Sequence, residues 1–199
     1  MARRSDHTRE ELRDLALKSA RDIVREEGVS RLSTRKVADK IGYTSGTLYQ
    51  VFRNRDDLVE QMNAETLNLL FQKCSPVDSN RAIHDRLSRL ASGFVTFANE
   101  HPNEWTAVIN YAYATDHEWS KQYDENLEQL LGLLVEATAE LYTEIGSVTQ
   151  MTDVRLLWQS LYGIFSLGAA NRLGKDQSVE ASVDALIELY LSARVAGHD

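Results

Sequence analysis

Apolar residues recur at helical spacing along almost the whole chain, and the interruptions mark where one element gives way to the next. Residues 9–27 set Leu12, Leu15, Ala16, Ser19, Ala20 and Ile23 at i, i+3, i+4 intervals, opposite a face of alternating sign from Glu10 to Glu26. Gly28 ends that helix, Val29 and Leu32 pack after it, and Ser33 stands where it can cap a second helix of about 34–41. Val37, Ala38 and Ile41 share one face of that helix. Gly42 supplies the stop, because the residue just past a helix end often takes φ > 0, which only Gly adopts freely. Thr44 or Ser45 then caps a helix of about 45–52 striped by Leu48 and Phe52. Asn54 caps the next, about 55–73, whose first turn holds Asp56 and Asp57 where the helix dipole favours anions. Leu58, Val59, Met62, Leu69 and Leu70 are its apolar positions, and it is long enough to join a small N-terminal bundle to the rest.

The segment CSPVDSN (74–80) combines Pro76 with Ser, Asp and Asn and reads as the boundary. Beyond it the pattern predicts a helix over 81–99, with Ile83, Leu87, Leu90, Ala91, Phe94, Val95 and Ala98 apolar. Pro102 breaks it, and a shorter aromatic-rich helix follows over 103–114. Thr115 and Asp116 are expected to cap a long helix ending near Gly146, and two more helices cover about 151–173 and 177–196. The first of these intersperses Gly163, Ser166, Gly168, Ala169 and Ala170 among its apolar residues, which lets another helix come close. No repeat or strand-period segment interrupts this series. The expected fold is all-α: a three-helix head with a helix-turn-helix over 1–55, its connecting helix to about 73, and a helical-bundle domain over 74–199.

Composition agrees, with only two prolines and ten glycines to punctuate 199 residues. The lone Cys74 excludes an internal disulfide and a four-cysteine zinc site. The start MARRSDHTREE lacks the apolar stretch of a signal peptide, and no run approaches the roughly 18 apolar residues of a membrane span, so a reducing cytoplasm is expected. Charge changes the picture more. The net −8 argues against nucleic acid, but it divides unevenly: residues 1–60 hold 13 Lys/Arg against 11 Asp/Glu, and 61–199 hold 9 against 19. A weakly basic head on an acidic remainder suits a polyanion at one end only, since phosphate contacts are screened within about 10 Å. Arg3 and Arg4 are either a solvated terminus or a basic arm.

Between the core positions of residues 32–58 lie Thr34, Arg35, Thr44, Ser45, Thr47, Tyr49, Gln50, Arg53 and Arg55. All can hydrogen-bond and none is acidic, a face that suits the DNA major groove. The plainer alternative is a helical hairpin within an all-α core, where so many polar positions would be out of place. Enzyme signatures are lacking. His117-Glu118 has no second histidine, GYTSG has neither the spacing nor the lysine of a phosphate loop, and no Gly-x-Ser-x-Gly elbow occurs. No catalytic residue, metal site or cofactor is expected.

The stretch LSTRKVADKIGYTSGTLYQVFRNRDDL, following a first helix that ends at Gly28, resembles the DNA-binding head of the TetR family of transcriptional repressors. The resemblance rests on Thr-Arg-Lys-Val-Ala before Gly42, then Thr47-Leu48-Tyr49, Phe52-Arg53-Asn54-Arg55 and Leu58. It implies that Leu48 and Phe52 hold the head together, and that Thr34 and Arg35 touch phosphate or a base edge. Thr44, Ser45 and Thr47 would face bases, and Tyr49 and Arg55 would bind phosphates. Tyr43, Gly46 and Val51 depart from the family pattern and leave the operator sequence open.

LLWQSLYGIFSLGAANRLG (156–174) resembles one branch of the family's ligand-sensing bodies. The resemblance implies a homodimer through helices of about 151–173 and 177–196, whose two heads read half-sites about 34 Å apart. It also implies a small, partly apolar effector. Candidate lining residues are Phe94, Phe97, Trp105, Asn110, Tyr111, His117, Tyr123, Trp158 and Tyr162, although aromatic stripes at helical spacing are more often core than ligand site. The expected function is a regulator, a repressor released from a palindromic operator by that effector. The alternatives are a helical ligand-binding protein or enzyme that does not bind DNA, and a regulator controlled by a partner protein.

Overall fold

The computed structural model describes residues 7–114, 116–144 and 146–195, which hold helices and connecting turns and no strand. The helices are α1 (Arg9–Glu27), α2 (Thr34–Ile41), α3 (Ser45–Leu48), α4 (Arg55–Cys74), α5 (Ile83–Glu100), α6 (Pro102–Asn110), α7 (Lys121–Thr138), α8 (Ser147–Ala169) and α9 (Val179–Val195). Arg3, Arg4 and Thr115 lie outside the described residues.

Contacts group the chain into two units: Met1–Leu67 with His101–Glu125, and Asn68–Glu100 with Asn126–Asp199. The 101–125 stretch thus groups with the N-terminal residues, a partition other than the linear one expected at residue 74.

In the first unit, Thr8 and Glu11 form a reciprocal capping box that starts α1. The Ser33 hydroxyl accepts from Lys36 N at the start of α2, and Gly42 leaves it at φ 77°. Ala16, Leu17, Ala20, Ile23 and Val24 of α1 close on Val37, Ala38, Leu48, Phe52, Leu58, Val59 and Met62, with Ala107 of α6 completing the same core. Leu17 and Val24 belong to it as fully as the residues picked out by spacing, because α1 is packed on more than one side.

The third helix departs from its expected length. Regular α-helix covers only Ser45–Leu48; beyond it Gln50 N and Val51 N turn to Thr47 O and Leu48 O, three residues back. Gly46 and β-branched Val51 give this stretch weak helical propensity, and Phe52 is drawn into the core instead.

A larger difference follows α6, which stops at Asn110 rather than 114, while α7 begins at Lys121. Ser120 rather than Thr115 or Asp116 is the residue at its start: its Oγ accepts from Tyr123 N, 3.2 Å away. The cause is competition from α4, whose polar side chains hold residues 111–114 and 116–120 out of helix, as described below.

In the second unit, Leu87, Leu90 and Phe94 of α5 gather with Leu134 of α7, Leu157 and Leu161 of α8 and Ile187 of α9, and Phe97, Leu130, Val154, Phe165 and Val183 are buried as well. α7 ends at Thr138, a 3-10 turn over Ala139–Tyr142 follows, and Gly146 precedes α8 instead of ending the helix before it. The Tyr142 hydroxyl explains the early stop: it donates to Asp153 Oδ2 at 2.7 Å and lies 2.8 Å from the Tyr190 hydroxyl. Arg194 pairs with Asp153 from α9, so the buried carboxylate is neutralised.

Candidate nucleic-acid interface

The surface is built by the turn between α2 and α3. Gly42 reverses the chain, and the Thr44 hydroxyl accepts from Thr47 N at 3.3 Å and lies 2.9 Å from the Thr47 hydroxyl. Leu48, fully buried, pins this turn to the core, so Thr44, Gln50 and the ring of Tyr49 face outward; Tyr49 is 57% exposed. The Tyr49 hydroxyl lies 3.5 Å from the Thr34 hydroxyl, which ties the start of α2 to the end of α3. Arg35 extends beside them, 87% exposed, with Asp39 a loose 3.8 Å away. Thr34, Arg35, Thr44, Ser45, Thr47, Tyr49 and Gln50 therefore lie on one helix pair, and the three threonine hydroxyls and the glutamine amide can donate and accept toward base edges.

The two remaining arginines are engaged elsewhere. Arg55 is half-buried; its Nε donates to Leu32 O at 3.0 Å, Nη2 to Val29 O at 2.9 Å and Nη1 to the Tyr111 hydroxyl at 3.1 Å. In this arrangement its guanidinium closes the turn after α1. Spacing cannot reveal this, because its partners are two backbone carbonyls and a tyrosine 56 residues on. Arg53 is half-exposed but its guanidinium faces Glu118, 3.4 Å from the carboxylate and 3.1 Å from the backbone oxygen.

Those partners belong to a strap between α6 and α7 that α4 holds by a polar stripe. Asp56 accepts from the Tyr111 hydroxyl (2.6 Å) and Ala114 N (3.1 Å). Glu60, with no exposed surface, accepts from Ser120 N and the Ser120 hydroxyl and sits 3.1 Å from His117 Nε2. Asn63 donates to the Tyr113 hydroxyl and Ala107 O. Positions 56, 60 and 63 share one α4 face. The hydrogen bond from Tyr111 holds the Asp56 carboxyl below its ordinary range. Burial, then the same bond, pushes the Tyr111 hydroxyl up to about 12. Tyr111, Tyr113, His117, Trp119 and Tyr123 meet ring to ring along this strap, edge-on or tilted.

The nine expected pocket residues are consequently split. Trp105, Asn110, Tyr111, His117 and Tyr123 belong to the first unit, and Phe94, Phe97, Trp158 and Tyr162 to the second. Phe94 meets Trp158 edge-on at 5.8 Å and stacks with Phe165 at 6.1 Å. The apolar interior around Phe94, Leu134, Leu161 and Ile187 encloses only about 10 Å³, scarcely room for a water.

A wider cleft of about 450 Å³ in the second unit is lined by Lys73, Arg81, Arg86 and Arg89 with Cys74, Val77 and Leu90, and includes none of the nine. Periodicity could not point to it, but a charge count could have. Four of the nine Lys/Arg in residues 61–199 fall between 73 and 89.

A capped, core-pinned helix pair displaying hydroxyl, amide and guanidinium groups, carried on an all-helical chain, defines a helix-turn-helix transcriptional regulator. Two family models match: bacterial regulatory proteins of the tetR family over residues 16–62, and the tetracyclin repressor-like C-terminal domain over residues 87–190. The chain belongs to the TetR family, whose members are DNA-binding transcriptional regulators. Among solved structures, a TetR transcriptional regulator from Rhodococcus sp. RHA1 is similar with a TM-score of 0.71 at 16% identity, over 93% of this chain and 97% of that one. A protein of unknown function from the same organism gives 0.69 at 20%, over 96% and 98%. FadR from Bacillus subtilis, solved with stearoyl-CoA, gives 0.68 at 16%, over 90% and 97%. No curated protein sequence matches significantly.

Proposed function

We propose that the protein is a homodimeric repressor that acts in the cytoplasm, occupies a palindromic operator and is released by a small, partly apolar effector. The observation that carries the DNA reading is the outward face of the α2–α3 turn, where Thr34, Arg35, Thr44, Thr47, Tyr49 and Gln50 surround a fully buried Leu48. Ser, Thr and Gln side chains would read bases, and Arg35 and Tyr49 would hold phosphates.

One head offers too few contacts for specificity, so pairing is required. Leu156, Ser160, Gly163 and Leu167 recur at i, i+4, i+7, i+11 on α8, and Leu156 and Leu167 are exposed; Leu189, 69% exposed on α9, lies one turn from Ala185. Exposed leucines among small residues support a four-helix contact between two copies. Effector control is supported by the family and by FadR, a protein of similar fold solved with stearoyl-CoA. The effector must bind the DNA-incompetent state more tightly to act. α4 is the natural lever, because Arg55–Leu67 belongs to one unit and Asn68–Cys74 to the other.

The test is selection of bound fragments from the host genome, followed by gel shift. The expected result is a small set of fragments sharing an inverted repeat. Failure to retard any fragment at low salt would overturn the DNA reading.

A further inference from the structure

The cleft at the end of α4 and the start of α5 is charged unlike its surroundings. Residues 61–199 carry a net −10, yet four of their nine cations line this one concavity, with Asp78 the single acidic residue among its lining. Arg86 is the most telling of them. It is 3% exposed, and its only ion pair among the described residues is Nη2 with Glu140 Oε1 at 2.7 Å. Its buried Nε has no hydrogen-bond partner among the described residues. A buried guanidinium with an unused donor carries a desolvation penalty that a second acceptor would relieve.

The neighbouring charges are only partly neutralised. Arg89, one turn further along α5, forms no ion pair among the described residues. Arg81 shares Asp78 at 3.0 Å, and Lys73 turns to Glu100. Cys74 offers no compensating anion, since burial pushes its thiol up to about 11 and keeps it neutral. Its Sγ sits where a Cβ on Gly93 would fall 2.9 Å away, so a glycine there admits the thiol against α5. Val77 and Leu90 supply the apolar part of the wall.

We propose that this cleft binds a small organic molecule through a carboxylate or phosphoryl group, held by Arg86 and Arg89 with Arg81 at the rim. Guanidinium forks take such oxyanions by paired, charge-assisted hydrogen bonds. The volume is that of a small-molecule site. The binding claim stands on these residues alone. That the bound anion is the effector rests on the regulatory reading above, so the two are measured separately.

Calorimetric titration of the full chain with inorganic phosphate and, separately, succinate, at constant ionic strength set with chloride, tests the site. One saturable site per chain is expected with at least one probe, and which probe binds assigns the head group. Arg89→Gln, on the exposed side, should weaken it at least about tenfold, and Arg81→Gln less. Retained gel shift by Arg89→Gln shows that the variant folds. No saturable binding of either probe up to about 10 mM, or an affinity unchanged in Arg89→Gln, overturns the site. Binding that leaves the operator affinity unchanged keeps the site and removes the bound group as effector.

Discussion

Arg55 and Thr47 show how far apart two polar residues of one motif can stand in role. Arg55 spends its guanidinium on Val29 O, Leu32 O and Tyr111. Arg55→Ala should therefore destabilise the first unit by about 2 kcal/mol in urea unfolding, because two half-buried carbonyls lose a charged donor. The slope of log affinity against log salt should stay as in the parent protein; a slope lower by about one would mean that Arg55 does touch phosphate. Thr47 is different. Among the described residues its hydroxyl meets only that of Thr44 at the turn. Thr47→Ala should leave stability within about 0.5 kcal/mol and change the ranking of operator sequences in competition gel shifts. Equal ranking would remove Thr47 from the base-reading set.

Among the elements, the strap between α6 and α7 owes its shape to α4. Left to its own periodicity, 103–114 would run on as helix; the carboxylates of Asp56 and Glu60 and the amide of Asn63 outbid that helix for the backbone and hydroxyl donors at 111–120. The competition has a pH signature. Asp56 is held below its ordinary pKa chiefly by Tyr111, so its stabilisation is present above the unfolded carboxylate value and is lost as pH falls through the lower folded one. Tyr111→Phe should cost about 1–2 kcal/mol at neutral pH. The gap from the parent should close below about pH 4. Urea unfolding at a series of pH values measures it, and a gap independent of pH would deny the Asp56 bond its role. The strap was poorly legible in the sequence, because Tyr111, Tyr113 and His117 look like any aromatic helix face until their partners 50–57 residues earlier are known. The α2–α3 turn was legible for the opposite reason. Ser33, Gly42, Thr44 and Leu48 act within a few residues of themselves, and the structure caps and closes there as their types demand.

For the whole molecule, the prediction concerns pairing. Leu189 is 69% exposed on α9 with small neighbours around it. Leu189→Glu should shift the protein toward monomer in sedimentation equilibrium while leaving its helical signal intact. Operator affinity should drop by about a hundredfold, because the second head then loses its effective concentration. A variant that stays dimeric and binds as before would move the interface away from this face.

The amino-acid sequence alone determined the all-helical class, most helix boundaries, the caps and turn of the head, and the family. These follow from propensity, period and local hydrogen bonds that act over three or four residues. Only the tertiary structure decided that Arg55 is a clamp, that 111–120 is a strap on α4, and that Arg81, Arg86 and Arg89 gather with Lys73 around one cleft. Each depends on which donors and acceptors meet across a fold, and a buried charge or carbonyl takes whatever partner the packing brings within about 3 Å, however far along the chain that partner lies.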